Sequence, residues 1–216
     1  MFQFNTINRR KAAKHICLYE GVIAHLYVDT RGNVTLGAGF HITSAKALNK
    51  FALREKSTHK AASRALKIQE FETISRLPAG RLASWYESHC KLYLPQQACI
   101  KLLEKKVEEF EAELSRLFST KNGYIPFHRM PSNVQLALLD MAYNLGTPNL
   151  SRAWPKLLHA IRTENWQLAA KECHRKHVSK ARNNATARLF KQSGTASLLQ
   201  RLGHFILAKA LSRFKR

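Results

Sequence analysis

The sequence predicts a mainly helical α+β fold with one small β-hairpin, and three features support that prediction. Apolar side chains recur at helical spacing between residues 8 and 20. Two short strands joined by a glycine turn follow between residues 28 and 36. Beyond residue 94 the apolar residues again lie three and four positions apart, which predicts further helices. With 216 residues, 45% of them hydrophobic, the chain can bury the core of one domain or of two closely packed lobes.

The first helix is expected to end at Glu20. Gly21 follows it, and glycine is the usual left-handed residue that stops a helix. The strands Val28–Thr30 and Val34–Leu36 come next, and Gly32 between them supplies the positive φ that a tight turn needs. A helix followed at once by a hairpin is therefore expected here.

The remaining helices are predicted from apolar periodicity and from residues that begin or end a helix. Pro95 is placed to begin a long helix, and Gly146 is placed to end a buried one. Pro78-Ala79-Gly80 interrupts the helix-forming region before the long helix. The helical regions expected on this basis are 45–90, 95–119, 133–146, 154–158 and 163–170.

Two carboxylates stand in unlike settings around the predicted hairpin. Glu20 closes a helix, where the negative end of the macrodipole disfavours the ionised form of a carboxyl group. Asp29 lies on a polar hairpin, where a carboxyl group ionises more easily. Glycoside hydrolysis needs such a division, with one carboxylic acid as proton donor and one carboxylate as base or nucleophile.

The segment that carries these carboxylates resembles the phage-type lysozymes. Their motif Asp-Thr-x-Gly-x-x-Thr-x-Gly-x-Gly stands here as Asp29-Thr30-Arg31-Gly32-Asn33-Val34-Thr35-Leu36-Gly37-Ala38-Gly39, and Glu20 precedes it at the family's spacing. The resemblance implies that Glu20 is the general acid, and that ionised Asp29 positions the attacking water together with Thr35. It further implies inversion at the anomeric carbon, cleavage of the β-1,4 bond between N-acetylmuramic acid and N-acetylglucosamine in peptidoglycan, and no metal or organic cofactor.

Two later segments extend the same resemblance. Tyr143-Asn144-Leu145-Gly146 matches the end of the family's central helix, which implies that Asn144 orients Glu20 or a sugar; a helix-capping Asn144 is the alternative. Residues 181–190 are similar to the family's RNxATxxLF segment, in which an arginine approaches the catalytic glutamate. On that basis Arg182 and Asn183 are assigned to the substrate-binding site. The Trp166 side chain, at core spacing, is expected to pack rather than to stack on sugar.

The resemblance also implies a domain plan. Residues 1–195 would form a lysozyme-like catalytic domain, with a small hairpin lobe joined by a long helix to a larger helical lobe. The extra residues before the long helix are similar to those of the longer pesticin-like and secreted-effector muramidases. The expected parts are the hairpin lobe (about 20–44), a helical insertion (about 45–90), the long helix (about 95–119), the helical lobe (about 131–195) and a basic amphipathic helix at 196–216.

The formal charge of +22 and the sequence pI of about 10.3 favour polyanionic partners. Basic residues are spread along the chain and aromatic residues do not alternate with them, so no specific nucleic-acid partner is expected. The rival function is that of a basic, non-enzymatic protein that binds nucleic acid or glycan. The 196–216 helix is expected to pack on the helical lobe, with binding to a membrane or to anionic lipopolysaccharide as the alternative.

The four cysteines, Cys17, Cys90, Cys99 and Cys173, show no C-x-x-C pair, which argues against structural zinc. Cys173-His174-x-x-His177 places a thiol and an imidazole one helical turn apart, but further ligands are missing, so no metal site is expected. In a reducing cytosol the thiols would stay reduced, and disulfides would form only after export.

No secretory signal is visible at the amino terminus. We therefore expect synthesis in the cytoplasm and action in the periplasm or on the cell wall, after release as a phage endolysin or after delivery by a secretion system as a toxin. Delivery as a toxin would imply a cognate immunity protein. A neighbouring reading frame with a signal peptide would indicate such an immunity protein.

Overall fold

The computed structural model describes residues 8–194, so the helix expected at 196–216 lies outside the described residues. The chain forms two compact units, whose boundaries fall inside two helices. One unit is Ala13–Lys106; the other consists of Met1–Ala12 together with Val107–Arg216.

The unit Ala13–Lys106 begins as the sequence predicts. The first helix ends at Glu20, and Gly21 and Gly32 have φ of +70° and +82°, the left-handed values expected of them. The predicted hairpin is present, but its first strand starts five residues earlier than expected and ends at Val28, so that Thr30 lies in the turn. The elements are α1 (Arg9–Glu20) and the antiparallel sheet β1 (Ile23–Val28), β2 (Val34–Gly37) and β3 (Phe40–His41), in that spatial order.

The region predicted as a helical insertion is helical only in part. It contains α2 (Arg64–Ser75) and the short α3 (Ala83–Tyr86), separated at Pro78-Ala79-Gly80 as expected. Before α2 the chain forms β4 (Arg54–Glu55), which pairs antiparallel with β5 (Leu92–Tyr93). Strands of two residues are too short to show alternation, so sequence periodicity does not reveal them.

A buried carboxylate ties α2 to β5. The two carboxylate oxygens of Glu70 accept hydrogen bonds from the backbone N–H groups of Lys91 (2.7 Å) and Leu92 (3.0 and 3.1 Å). Burial raises the pKa of Glu70 above its usual range, although these hydrogen bonds oppose the shift. These hydrogen bonds hold the two ends of the segment 70–92 together.

The long helix α4 spans Gln96–Leu117, where the sequence predicts a helix over residues 95–119. Leu103, Val107 and Leu114 of its predicted apolar stripe are fully buried. At its end the Asn122 side-chain amide donates hydrogen bonds to the carbonyls of Arg116 (3.0 Å) and Leu117 (2.9 Å), which leaves few unsatisfied groups there.

The second unit is helical within its described part. Residues 134–142 of its central helix are all buried, Gly146 follows that helix with φ of +77°, and Trp166 is packed with 3% of its surface exposed. The mainly helical α+β fold with a small antiparallel sheet is thus confirmed.

No helix of residues 8–194 is both long enough and apolar enough to cross a membrane. The helices are α5 (Ser132–Leu145), α6 (Thr147–Ala153), α7 (Pro155–Arg162), α8 (Trp166–Glu172) and α9 (180–194).

All four cysteines carry free thiols. Cys90, Cys99 and Cys173 are buried, and burial raises the pKa of their thiols to about 12, 11 and 11, respectively. Cys17 on α1 is half-buried, and burial raises its pKa as well.

Candidate active site

Glu20 is the last residue of α1 and is half-buried. The left-handed Gly21 ends the helix directly after it, so the sequence sets the position of this carboxyl group. The pKa of Tyr27 on β1 depends on both candidate carboxylates. Burial raises the pKa of its phenol, and the negative charges of Asp29 and Glu20 raise it further. One phenol therefore lies within electrostatic reach of both acids.

The Asp29 carboxylate is held by its own turn. Its Oδ1 accepts hydrogen bonds from the backbone N–H groups of Arg31 and Asn33, both at 2.8 Å, and its Oδ2 accepts one from the Asn33 side-chain amide at 3.1 Å. Burial acts to raise the pKa of Asp29, but these hydrogen bonds bring it below its usual range. Asp29 is therefore ionised at neutral pH, as a base or water-positioning group must be.

Thr35 lies in the middle of the sheet with 2% of its surface exposed. Its hydroxyl donates to the carbonyl of Asn33 at 3.1 Å, which leaves the oxygen lone pairs as acceptors. In the strand register Thr35 is opposite Tyr27 of β1 and opposite His41 of β3. Directly paired residues of antiparallel strands share a face, so these three side chains form one row.

Tyr27 and His41 were not predicted as site residues. His41 Nε2 lies 3.7 Å from Asp29 Oδ2, which places it beside two of the three predicted catalytic residues, Asp29 and Thr35. Tyr27 precedes Asp29 by two positions, a spacing that the two-residue period of a strand could have revealed. His41 belongs to the two-residue strand β3, which left no such signal.

The predicted binding residue Asn144 lies in the other unit. It is exposed near the end of α5, and the helix is closed by the backbone N–H of Gly146, which donates to the carbonyl of Ala142 at 2.8 Å. A role for Asn144 in orienting Glu20 or a sugar stays a prediction.

Arg182, in the same unit as Asn144, is 4% exposed and pairs with a buried acid of α5. Its Nε donates to Asp140 Oδ1 at 2.9 Å, and its Nη2 lies 2.8 Å from the same oxygen. Asp140 was not singled out in the sequence, although an aspartate in the middle of a buried helix requires a charged partner. The approach of Arg182 to Glu20 stays a prediction.

Arg175 completes the cluster around Asp140. Its guanidinium, 1% exposed, lies 2.7 Å from Asp140 Oδ2 and donates to the Thr186 hydroxyl at 2.8 Å. That hydroxyl donates in turn to Asp140 Oδ2 at 2.9 Å. Burial acts to raise the pKa of Asp140, but the charges and hydrogen bonds of Arg175 and Arg182 bring it below its usual range.

Asn183, the other predicted binding residue, is 3% exposed. Its Oδ1 accepts from the backbone N–H of Arg175 at 3.0 Å, and its Nδ2 donates to the carbonyl of the same residue at 2.9 Å. These contacts give Asn183 a structural role in the segment before α9. A contact with substrate stays a prediction.

The fold is that of a lysozyme-like α+β protein, with a carboxylate at a helix end and a second on the hairpin that follows. The family model described as phage lysozyme matches residues 79–193, more than half of the chain. The chain therefore belongs to the phage lysozyme family and is a glycoside hydrolase that acts on peptidoglycan. A search among curated protein sequences finds no match. The matched range does not include Glu20, Asp29 or Thr35, so their catalytic roles stay predictions.

Proposed function

We propose that this protein is a muramidase that cleaves the β-1,4 bond between N-acetylmuramic acid and N-acetylglucosamine with inversion. The observation that carries the proposal is the turn that holds Asp29 ionised while Glu20 stands at the end of the adjacent helix. The charges of both carboxyl groups raise the pKa of Tyr27, which supports one shared site.

In the proposed reaction Glu20 acts as acid and Asp29 as base. Glu20 gives its proton to the glycosidic oxygen as the bond from that oxygen to the anomeric carbon breaks. A water oxygen bonds to the same carbon from the opposite face and passes one proton to Asp29. Thr35 contributes a lone pair that helps to hold this water. Proton exchange with solvent then restores both carboxyl groups.

The experiment compares wild type with Glu20→Gln and Asp29→Asn on purified sacculi, by loss of turbidity and release of reducing ends. Each variant is expected to lose activity by roughly 10²–10⁴-fold, the usual contribution of a positioned acid or base. The exposed Glu72 on α2 provides the control Glu72→Gln, which should keep full activity. Full activity in folded Glu20→Gln would refute the assignment, and a β-configured first product would refute inversion.

The biological setting is part of the same proposal. We propose that residues 1–195 act as one catalytic domain, delivered to the periplasm or cell wall either as an endolysin or as a toxin with an immunity protein. The charge of +22 suits an anionic cell wall and, as an added partner, lipopolysaccharide. Protection of susceptible cells by the product of an adjacent gene would distinguish the toxin from the endolysin.

The same charge favours one rival, a non-enzymatic protein that binds nucleic acid or glycan. The rival requires that DNA or sacculi bind in a salt-dependent manner while sacculi stay intact. Lysis of sacculi by wild type and not by Glu20→Gln would exclude it.

A further inference from the structure

His41 faces the candidate catalytic aspartate from β3. More than half of its side chain, 57%, is exposed, and its Nε2 lies 3.7 Å from Asp29 Oδ2. This distance is too long for a direct hydrogen bond. It is short enough for one water molecule, about 2.8 Å from each atom, to bond with both.

The two oxygens of Asp29 are not equivalent. Oδ1 accepts two backbone N–H groups, which match the acceptor capacity of a carboxylate oxygen. Oδ2 accepts the Asn33 side-chain amide, and His41 Nε2 is the other polar atom recorded near it within the described residues. Oδ2 is therefore the oxygen with capacity left for a water molecule, and it is the one that faces His41.

We propose that His41 is a catalytic residue that holds the attacking water together with Asp29. The water donates one hydrogen bond to Asp29 Oδ2 and a second to His41 Nε2, and the imidazole ring carries its own hydrogen on Nδ1. Both protons are then directed towards the protein, and a lone pair of the water oxygen is left for the anomeric carbon. Thr35, which is paired with His41 in the strand register, belongs to the same row of side chains.

The step adds no reactant to the proposed hydrolysis, on which it rests. The water oxygen bonds to the anomeric carbon, and the proton on Asp29 Oδ2 stays with Asp29. The proton that pointed at His41 remains on the new hydroxyl group of the product. His41 neither gains nor loses a proton in this step, and its contribution is to fix the orientation of the water.

The test uses His41→Phe, which keeps a planar ring without nitrogen, and His41→Gln, which keeps hydrogen-bonding groups. We expect kcat on soluble peptidoglycan fragments to fall about tenfold in His41→Phe with KM unchanged, and to fall less in His41→Gln. The matched control is His89→Phe, because His89 is an exposed histidine of the same unit whose ring packs on Trp85. This control should keep wild-type kcat.

Three results would overturn the role of His41. They are an unchanged kcat in folded His41→Phe, a rise in KM without loss of kcat, and equal losses in the Phe and Gln variants. Circular dichroism verifies folding. Glu20→Gln, assayed in parallel, separates the two proposals: if it is inactive while His41→Phe is fully active, only the role of His41 fails. If Glu20→Gln is fully active, the proposed function itself fails.

Discussion

Asp29 and Asp140 are two aspartates held ionised in opposite ways. Asp29 lies on the hairpin, and its carboxylate accepts N–H groups from residues two and four positions further along the chain. Asp140 is fully buried in α5 and is held by the guanidinium groups of Arg175 and Arg182, 35 and 42 residues away. The pKa of both lies below the usual range, but for different reasons.

The difference separates the carboxylate that we propose to be catalytic from a structural one. Asp29 keeps one oxygen with capacity for a further hydrogen bond, and 21% of its side chain is exposed. Asp140 has both oxygens engaged by charged or hydroxyl donors and no exposed surface. A lowered pKa alone therefore does not identify a catalytic base, and we expect exposure and remaining hydrogen-bonding capacity to be needed as well.

The largest expected effect comes from the same substitution at the two positions. Asp140→Asn leaves two buried guanidinium groups without their anion and should lower the free energy of unfolding by about 3–5 kcal/mol. Asp29→Asn should lower it by less than about 1 kcal/mol, because the turn stays near solvent, while activity is lost. Urea unfolding and sacculus lysis measure the two effects. Equal destabilisation of both variants would refute the distinction between a structural Asp140 and a catalytic Asp29.

The second expectation concerns acid. Unfolded Asp140 binds a proton near the ordinary pKa of about 3.9, whereas the folded residue binds one only at lower pH. Between these pH values the unfolded state holds more protons, so stability falls as pH falls. Urea unfolding from pH 6 to pH 3 should show this loss in wild type and a smaller one in Asp140→Asn. An unchanged slope would contradict the assignment to Asp140. Glu70, whose pKa is raised, acts with the opposite sign and cannot produce the loss.

The smallest expected effect tests how firmly the hairpin holds Asp29. Asn33→Ala removes the side-chain donor to Oδ2 and leaves both backbone donors to Oδ1 in place. Loss of one exposed hydrogen bond should lower kcat about threefold and change stability by less than about 0.5 kcal/mol. A loss as large as that of Asp29→Asn would mean that the side-chain amide, and not the backbone, orients the carboxylate.

The sequence is most informative where partners are neighbours in the chain. The helix end at Glu20, the turn at Gly32 and the ionised state of Asp29 are all governed by residues within a few positions, and each was predicted. The third strand with His41 and the β4–β5 pair were missed, because two-residue strands depend on partners elsewhere for their pairing.

The cluster around Asp140 shows more clearly what local sequence does not predict. Local sequence indicates a buried helix with one acid, and physical chemistry requires a cation for that acid. The local sequence does not indicate that Arg175 and Arg182 supply this positive charge, because they lie 35 and 42 residues from Asp140 along the chain. Likewise the family model matches residues 79–193, whereas the predicted catalytic residues precede that range.

The buried thiols have a consequence for the chemical durability of the protein. Oxidation and alkylation of cysteine proceed through the thiolate. With a pKa of about 11, Cys99 and Cys173 present that form in only about one molecule in ten thousand at neutral pH, and Cys90 presents still less. We therefore expect these three thiols to react slowly with oxidants and alkylating agents at neutral pH.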